Sequence, residues 1–180
     1  MVNPPPAPTA VAPPVCEGTI STFSATPASG SPAISSYTWS FQGDATPVTG
    51  TGTPTHLFTP AGTYTAGLVV QTADGCIGTT TTTIVVNPPP QPNFTAPAVC
   101  LGVSTTFVNS SNTVAPAPPI STYNWAFGGG GTSTDLNPVH PFTSAGVFTN
   151  TLTATSDQGC ISTFTNTITV NALPVAVFTS

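Results

Sequence analysis

The chain copies itself. Val-Asn-Pro-Pro-Pro occupies residues 2–6 and again 86–90, Val15-Cys16 recurs as Val99-Cys100, and Gly75-Cys76 recurs as Gly159-Cys160, each 84 residues later. Tyr37-Thr-Trp39-Ser-Phe41 returns 86 residues on as Tyr123-Asn-Trp125-Ala-Phe127, and His56-Leu-Phe58 returns as His140-Pro-Phe142, back at 84. The second copy therefore gains two residues before its tryptophan and loses two after it, and such changes belong in loops. One structural unit must fold twice. Residues 1–86 form a first domain and residues 87–170 a second. The last segment, 171–180, realigns with Asn87 to Phe94 through Asn171-Ala-Leu-Pro-Val-Ala-Val-Phe178, as the first strand of a truncated third copy.

Within each copy the pattern is that of strands. Apolar residues alternate with Thr and Ser over Thr19–Ser24, Ser36–Phe41, Tyr64–Val70 and Thr79–Val86, and β-branched residues favour a pleated, half-buried surface. Pro60-Ala-Gly62, Ala73-Asp-Gly75 and the Gly128–Gly131 run punctuate them. No stretch sustains a helical period. About seven short strands per copy predict an all-β fold of tandem immunoglobulin-like sandwiches arranged end to end. The prolines at Asn87–Pro90 predict an extended connection with little hinge freedom.

Charge narrows the functions. The chain has no Lys or Arg, five acidic residues and two histidines, for a net charge of −5. Nucleic acid and anionic lipid both need basic side chains to neutralise phosphate, so neither is an expected partner. A trypsin-like protease finds no cleavage site, which suits a protein outside the cell. Four regularly spaced cysteines point to an oxidising compartment. No apolar run reaches the length needed to span a membrane, so no membrane insertion is expected. Residues 1–6 lack the features of a signal peptide, and Met1 reads as a boundary within a longer secreted protein. So few groups titrate that stability should vary little with pH.

The residues with chemistry in them mostly have a structural explanation. Trp39 and Trp125 would stack on sugars if exposed, but a tryptophan on the third strand of such a sandwich belongs to the core, with Phe41 and Phe127 beside it. Tyr64 and Phe148 each follow an Ala-Gly turn and enter the sixth strand, and only Tyr64 has a hydroxyl to tie that corner. His56 and His140 recur at one place in both copies, which fits a packed histidine at a strand end rather than a zinc ligand or a catalytic base. No Gly-x-Ser-x-Gly elbow is present. Glu17, Asp44, Asp74, Asp135 and Asp157 are too scattered for the six to eight oxygens of a calcium cage. No catalytic residue, metal or cofactor is expected. Without lysine there is no Lys–Asn isopeptide bond, and no Leu-Pro-x-Thr-Gly sorting signal occurs.

The series Tyr-x-Trp-x-Phe, His-x-Phe, Ala-Gly-Thr-Tyr and Asp-Gly-Cys before a Thr/Val strand resembles the polycystic-kidney-disease (PKD) repeat. Its Cys-containing variety is similar to the repeats stacked in surface adhesins of gliding Bacteroidota-type bacteria. The resemblance implies an immunoglobulin-like sandwich, secretion, and a spacer or adhesive role. That family often reads Trp-Asp-Phe-Gly-Asp-Gly where this chain has Trp39-Ser-Phe-Gln-Gly-Asp44 and Trp125-Ala-Phe-Gly-Gly-Gly130. The acidic residues with which some relatives bind calcium are mostly missing.

Two disulfide schemes are open. One pairs Cys16 with Cys76 and Cys100 with Cys160 inside each domain. Cys16, however, starts the second strand and Cys76 the seventh. These points lie at opposite ends of a sandwich, separated by about eight residues of strand at ~3.3 Å each, whereas a disulfide spans ~5.5 Å between Cα atoms. The other scheme sets Cys16 against Cys160 and leaves Cys76 and Cys100 for neighbours outside the chain. The expected function is a structural or adhesive module of a bacterial cell surface, forming a stiff stalk or filament by head-to-tail self-association or as part of a longer array. The alternative is a carbohydrate- or protein-binding accessory module of a secreted hydrolase. A surface polysaccharide or a protein is the expected ligand in either case.

Overall fold

The computed structural model of the chain describes residues 5–28, 33–115 and 117–177. The chain divides into two compact units, Met1–Pro88 and Pro89–Ser180, and the described residues contain no helix.

In the first unit the strands are β1 (Pro8–Val11), β2 (Val15–Cys16), β3 (Ser21–Thr22), β4 (Ser24–Pro27), β5 (Ile34–Phe41), β6 (Val48–Thr49), β7 (Thr55–His56), β8 (Gly62–Thr72) and β9 (Ile77–Asn87). One layer is a five-stranded sheet in the order β2-β9-β8-β5-β6. Its long ladders are antiparallel, but β2 pairs with β9 in parallel, Val15 opposite Val86 and Cys16 opposite Asn87. The facing layer is made of the pairs β1-β4 and β3-β7. Bonds from Phe23 N–H to the Pro54 carbonyl (3.0 Å) and from Ala25 N–H to the Gly52 carbonyl (2.9 Å) stitch it together. The run Thr19–Ser24 is not one strand: β3 ends at Thr22 and β4 begins at Ser24, with Phe23 between them buried in the core.

Alternation along β8 explains why the layers close. Ala66, Leu68, Val70 and Thr72 turn inward, while Thr65, Val69 and Gln71 face solvent. Ala66, Leu68 and Val70 fill one core together with Phe23, Trp39, Phe41, Phe58, Ile84 and Val86. Trp39 is fully buried, and its indole N–H donates to the Thr51 carbonyl at 3.2 Å, so the one polar atom of the ring is satisfied. Truncating a side chain of this size in such a setting costs about 3–5 kcal/mol.

The second unit repeats the plan with β10 (Phe94–Thr95), β11 (Val99–Cys100), β12 (Thr105–Thr106), β13 (Val108–Asn109), β14 (Ile120–Ala126), β15 (Thr132–Ser133), β16 (Val139–His140), β17 (Gly146–Ser156) and β18 (Ile161–Asn171). The sheet order β11-β18-β17-β14-β15 and the parallel pairing of β11 with β18 are the same. The Trp125 indole donates to the Asp135 carbonyl at 2.9 Å. The core is filled differently. Phe94 and Phe164 stand where the first copy has Ala10 and Thr80, and Ala154 stands for Val70. The Phe94 ring packs 5.0 Å from Trp125 and 5.4 Å from Phe164.

After Asn171, residues 172–177 join no sheet, and Val175 and Val177 are exposed. The strand expected for a third copy has no partner sheet here, and a lone strand does not persist in water. Its Phe178 lies outside the described residues, as do Val2, Asn3 and Pro4 of the first proline repeat.

Candidate functional site

The histidines belong to an aromatic column at one edge of each core. His56 stacks on Phe41 at 4.5 Å and meets Phe58 edge-on at 4.3 Å, and Phe58 stacks on Tyr64 at 4.6 Å. The Tyr64 hydroxyl donates to the Pro60 carbonyl, which ties the turn before β8 to the strand it opens. In the second unit His140 stacks on Phe127 at 4.1 Å, and Phe142 stacks on Phe148 at 4.6 Å. Tyr64 and Phe148 are half-buried flanks of the cores. His56 Nδ1 lies 3.4 Å from the Asp44 carboxylate. The matching residue in the second unit is Gly130, which offers no carboxylate, and burial holds the His140 imidazole below its ordinary pKa of 6.5. Both imidazoles are thus spent on packing. No group of three His, Cys, Asp or Glu residues capable of holding a metal occurs among the described residues.

The cysteines divide unequally. Cys16 and Cys160 are disulfide-bonded, while Cys76 is a half-buried free thiol and Cys100 an exposed one. The within-domain scheme is therefore corrected, and the reason is the register. Cys16 pairs with Asn87 at the end of β9, whereas Cys76 precedes Ile77 at its start. Eleven residues of strand lie between those points, about 35 Å at ~3.3 Å per residue, many times what a disulfide spans. Cys100, opposite Asn171, and Cys160, before Ile161, are held apart by β18 in the same way.

One groove of about 340 Å³ opens on the second unit, lined by Ser121, Thr122, Tyr123, Asn124, Thr134 and Leu136. Its lining offers hydroxyls, an amide, a phenol and one apolar side chain, but no ionised group. It suits a neutral, hydroxyl- or amide-bearing ligand. This groove is not legible in the sequence, because Thr134 and Leu136 come from a connecting loop with no periodic signal.

The long inward-facing strands, the buried tryptophan and the repeated aromatic column are those of one domain type, and comparison with known proteins agrees. A segment of 73 residues is 37% identical to part of a microbial collagenase of Vibrio alginolyticus, covering 41% of this chain and 9% of that protein. Another of 60 residues is 47% identical to part of the pre-pro-metalloprotease PrtV of Vibrio cholerae, covering 32% of this chain and 6% of that protein. The chain thus spans less than a tenth of either relative. Among solved structures, the PKD1 domain of Vibrio anguillarum Epp is 32% identical with a TM-score of 0.44, covering 48% of this chain and 99% of that one. The PKD1 domain of Vibrio cholerae PrtV is 35% identical with a TM-score of 0.42, covering 46% and 98%. The PKD domain family matches residues 3–86 and again 87–172, and the chain, as two tandem copies, belongs to that family.

Proposed function

We propose that the chain is a non-catalytic, extracellular accessory module of a secreted hydrolase, holding the enzyme against a polysaccharide or protein substrate. The observation that carries this reading is its kinship to segments of a collagenase and a metalloprotease. In support, every tryptophan and histidine of the chain is committed to packing. An extracellular setting is supported by the disulfide-bonded Cys16 and Cys160 and by a sequence with no site for a trypsin-like protease. The ligand surface we assign is the uncharged groove at Tyr123. The test is retention of the purified chain on insoluble collagen, cellulose and chitin, with Tyr123→Ala as control. We expect retention on at least one, weakened by the substitution, and no hydrolysis. Failure to bind any of them would remove this reading.

A second reading, a spacer in a cell-surface stalk or adhesive filament, is favoured by the tandem repeat and by the realignment of Asn171–Phe178 with the start of a copy. The neighbouring sequence in the native polypeptide separates the two. A catalytic domain supports the first, a run of further copies the second.

A further inference from the structure

We propose that Cys100 of one molecule and Cys76 of another form an intermolecular disulfide, linking copies of this chain head to tail. Each unit carries one cysteine at each pole. Cys76 and Cys160 sit in the hairpin that opens the last strand, and Cys16 and Cys100 sit beside the residue that ends it. The bonded cysteines are the C-terminal-pole residue of the first unit and the N-terminal-pole residue of the second. The free thiols are the complementary pair, N-terminal pole of the first and C-terminal pole of the second.

The free thiols occupy the backbone settings in which their repeat mates are bonded. Cys76 N–H donates to Thr72 Oγ1 at 3.1 Å, and Cys160 N–H donates to Ser156 Oγ at 3.1 Å. The hairpins close alike, Thr72 N–H to the Cys76 carbonyl at 3.0 Å and Ser156 N–H to the Cys160 carbonyl at 2.9 Å. At the other pole, Thr19 N–H donates to the Cys16 carbonyl at 3.0 Å and Val103 N–H to the Cys100 carbonyl at 3.1 Å. The residue after each cysteine also bonds alike, Glu17 N–H to the Asn87 carbonyl and Leu101 N–H to the Asn171 carbonyl. A position that carries a disulfide in one unit is therefore presented in the other as a free thiol, half-buried at Cys76 and exposed at Cys100.

The free thiol at the pole opposite to that of Cys100 is Cys76, which a second copy of the chain supplies. The two thiols lose two protons and two electrons to a low-molecular-weight disulfide such as oxidised glutathione. One S–S bond forms between the proteins, and two reduced glutathione molecules leave. Because the two ends differ, the contact is heterologous and does not close. The inference stands apart from the ligand proposed above.

The test is oxidation of the intact 180-residue protein in a glutathione redox buffer, read by non-reducing electrophoresis. The unmodified protein should give a ladder that dithiothreitol collapses. C76S alone and C100S alone should stay monomeric, and an equimolar mixture should give a single dimer band without a ladder. Mass spectrometry of chymotryptic peptides should find Cys76 joined to Cys100, with Cys16 and Cys160 still bonded. C76A and C100A, with circular dichroism, control for folding. The proposal is overturned if each variant dimerises with itself as readily as with the other. It is overturned equally if the unmodified protein collects only glutathione adducts, or if Cys76 and Cys100 join within one molecule.

Discussion

Asn150 shows how two copies of one backbone plan reach different local solutions. It is fully buried, accepts from Gly128 N–H at 3.2 Å and donates to the Phe148 carbonyl at 2.9 Å. In the first copy the same places hold Ala66 and Gln42, and the Gln42 side chain instead accepts from Thr65 N–H at 2.9 Å. Gly128 has to be glycine, because a Cβ there would stand 2.5 Å from the Thr149 carbonyl oxygen. Asn150→Ala leaves a part-buried N–H without its partner and should destabilise the second unit by about 1–3 kcal/mol, measurable by urea titration. The buried hydroxyls of Ser21 and Thr105, equivalent residues, meet no hydrogen-bond partner. Thr105→Val therefore loses none, and its urea midpoint should stay level or rise. His140 bears on pH. Its folded pKa lies below the ordinary 6.5, so the unfolded chain takes up the proton first as pH falls. The stabilising contribution is complete above pH 6.5 and is lost as pH drops from there through the lowered folded value. Thermal melts between pH 7.5 and 5.5 should show a small fall in the Tm of the second unit, and H140Q should abolish it.

At the level of elements, the long strands were legible and the short ones were not. Alternation over Tyr64–Val70 and Thr79–Val86 marks the cores of β8 and β9, because each strand has one face in the core and one in water. The two-residue strands β2, β6 and β7 carry no period, and their pairing depends on partners dozens of residues away. Phe94 follows a proline-rich connection and gives no local sign that it is buried, since its burial depends on Trp125 and Phe164. The cysteine pattern announced disulfides but left their pairing open, and the register of β2 on β9 excluded one scheme. The corner before β8 is a further point of difference between the copies. Tyr64→Phe removes the bond to the Pro60 carbonyl and gives the first unit the ring that the second already has in Phe148. The cost should be about 0.5–1.5 kcal/mol, seen as a lower unfolding midpoint for the first unit alone.

For the whole molecule, the two hydrophobic clusters share no residue. Residues 1–88 and 89–180, expressed separately, should each melt cooperatively with β-type circular dichroism, and a molten spectrum from either half would refute this. The parallel pairing of β2 with β9 has a further consequence, a mechanical one. β2 lies near the beginning of its unit and runs alongside the end of the last strand, with Val15 and Cys16 opposite Val86 and Asn87. Tension applied to the two ends of the unit draws these strands in opposite directions along their own axes. The hydrogen bonds between them lie across the pull, so they are loaded in shear and must give way together rather than peel apart one by one. Resistance of this kind is a matter of unfolding rate under load rather than of equilibrium stability. Each PKD copy of this chain, taken by itself, thereby carries a small clamp between an early strand and its last.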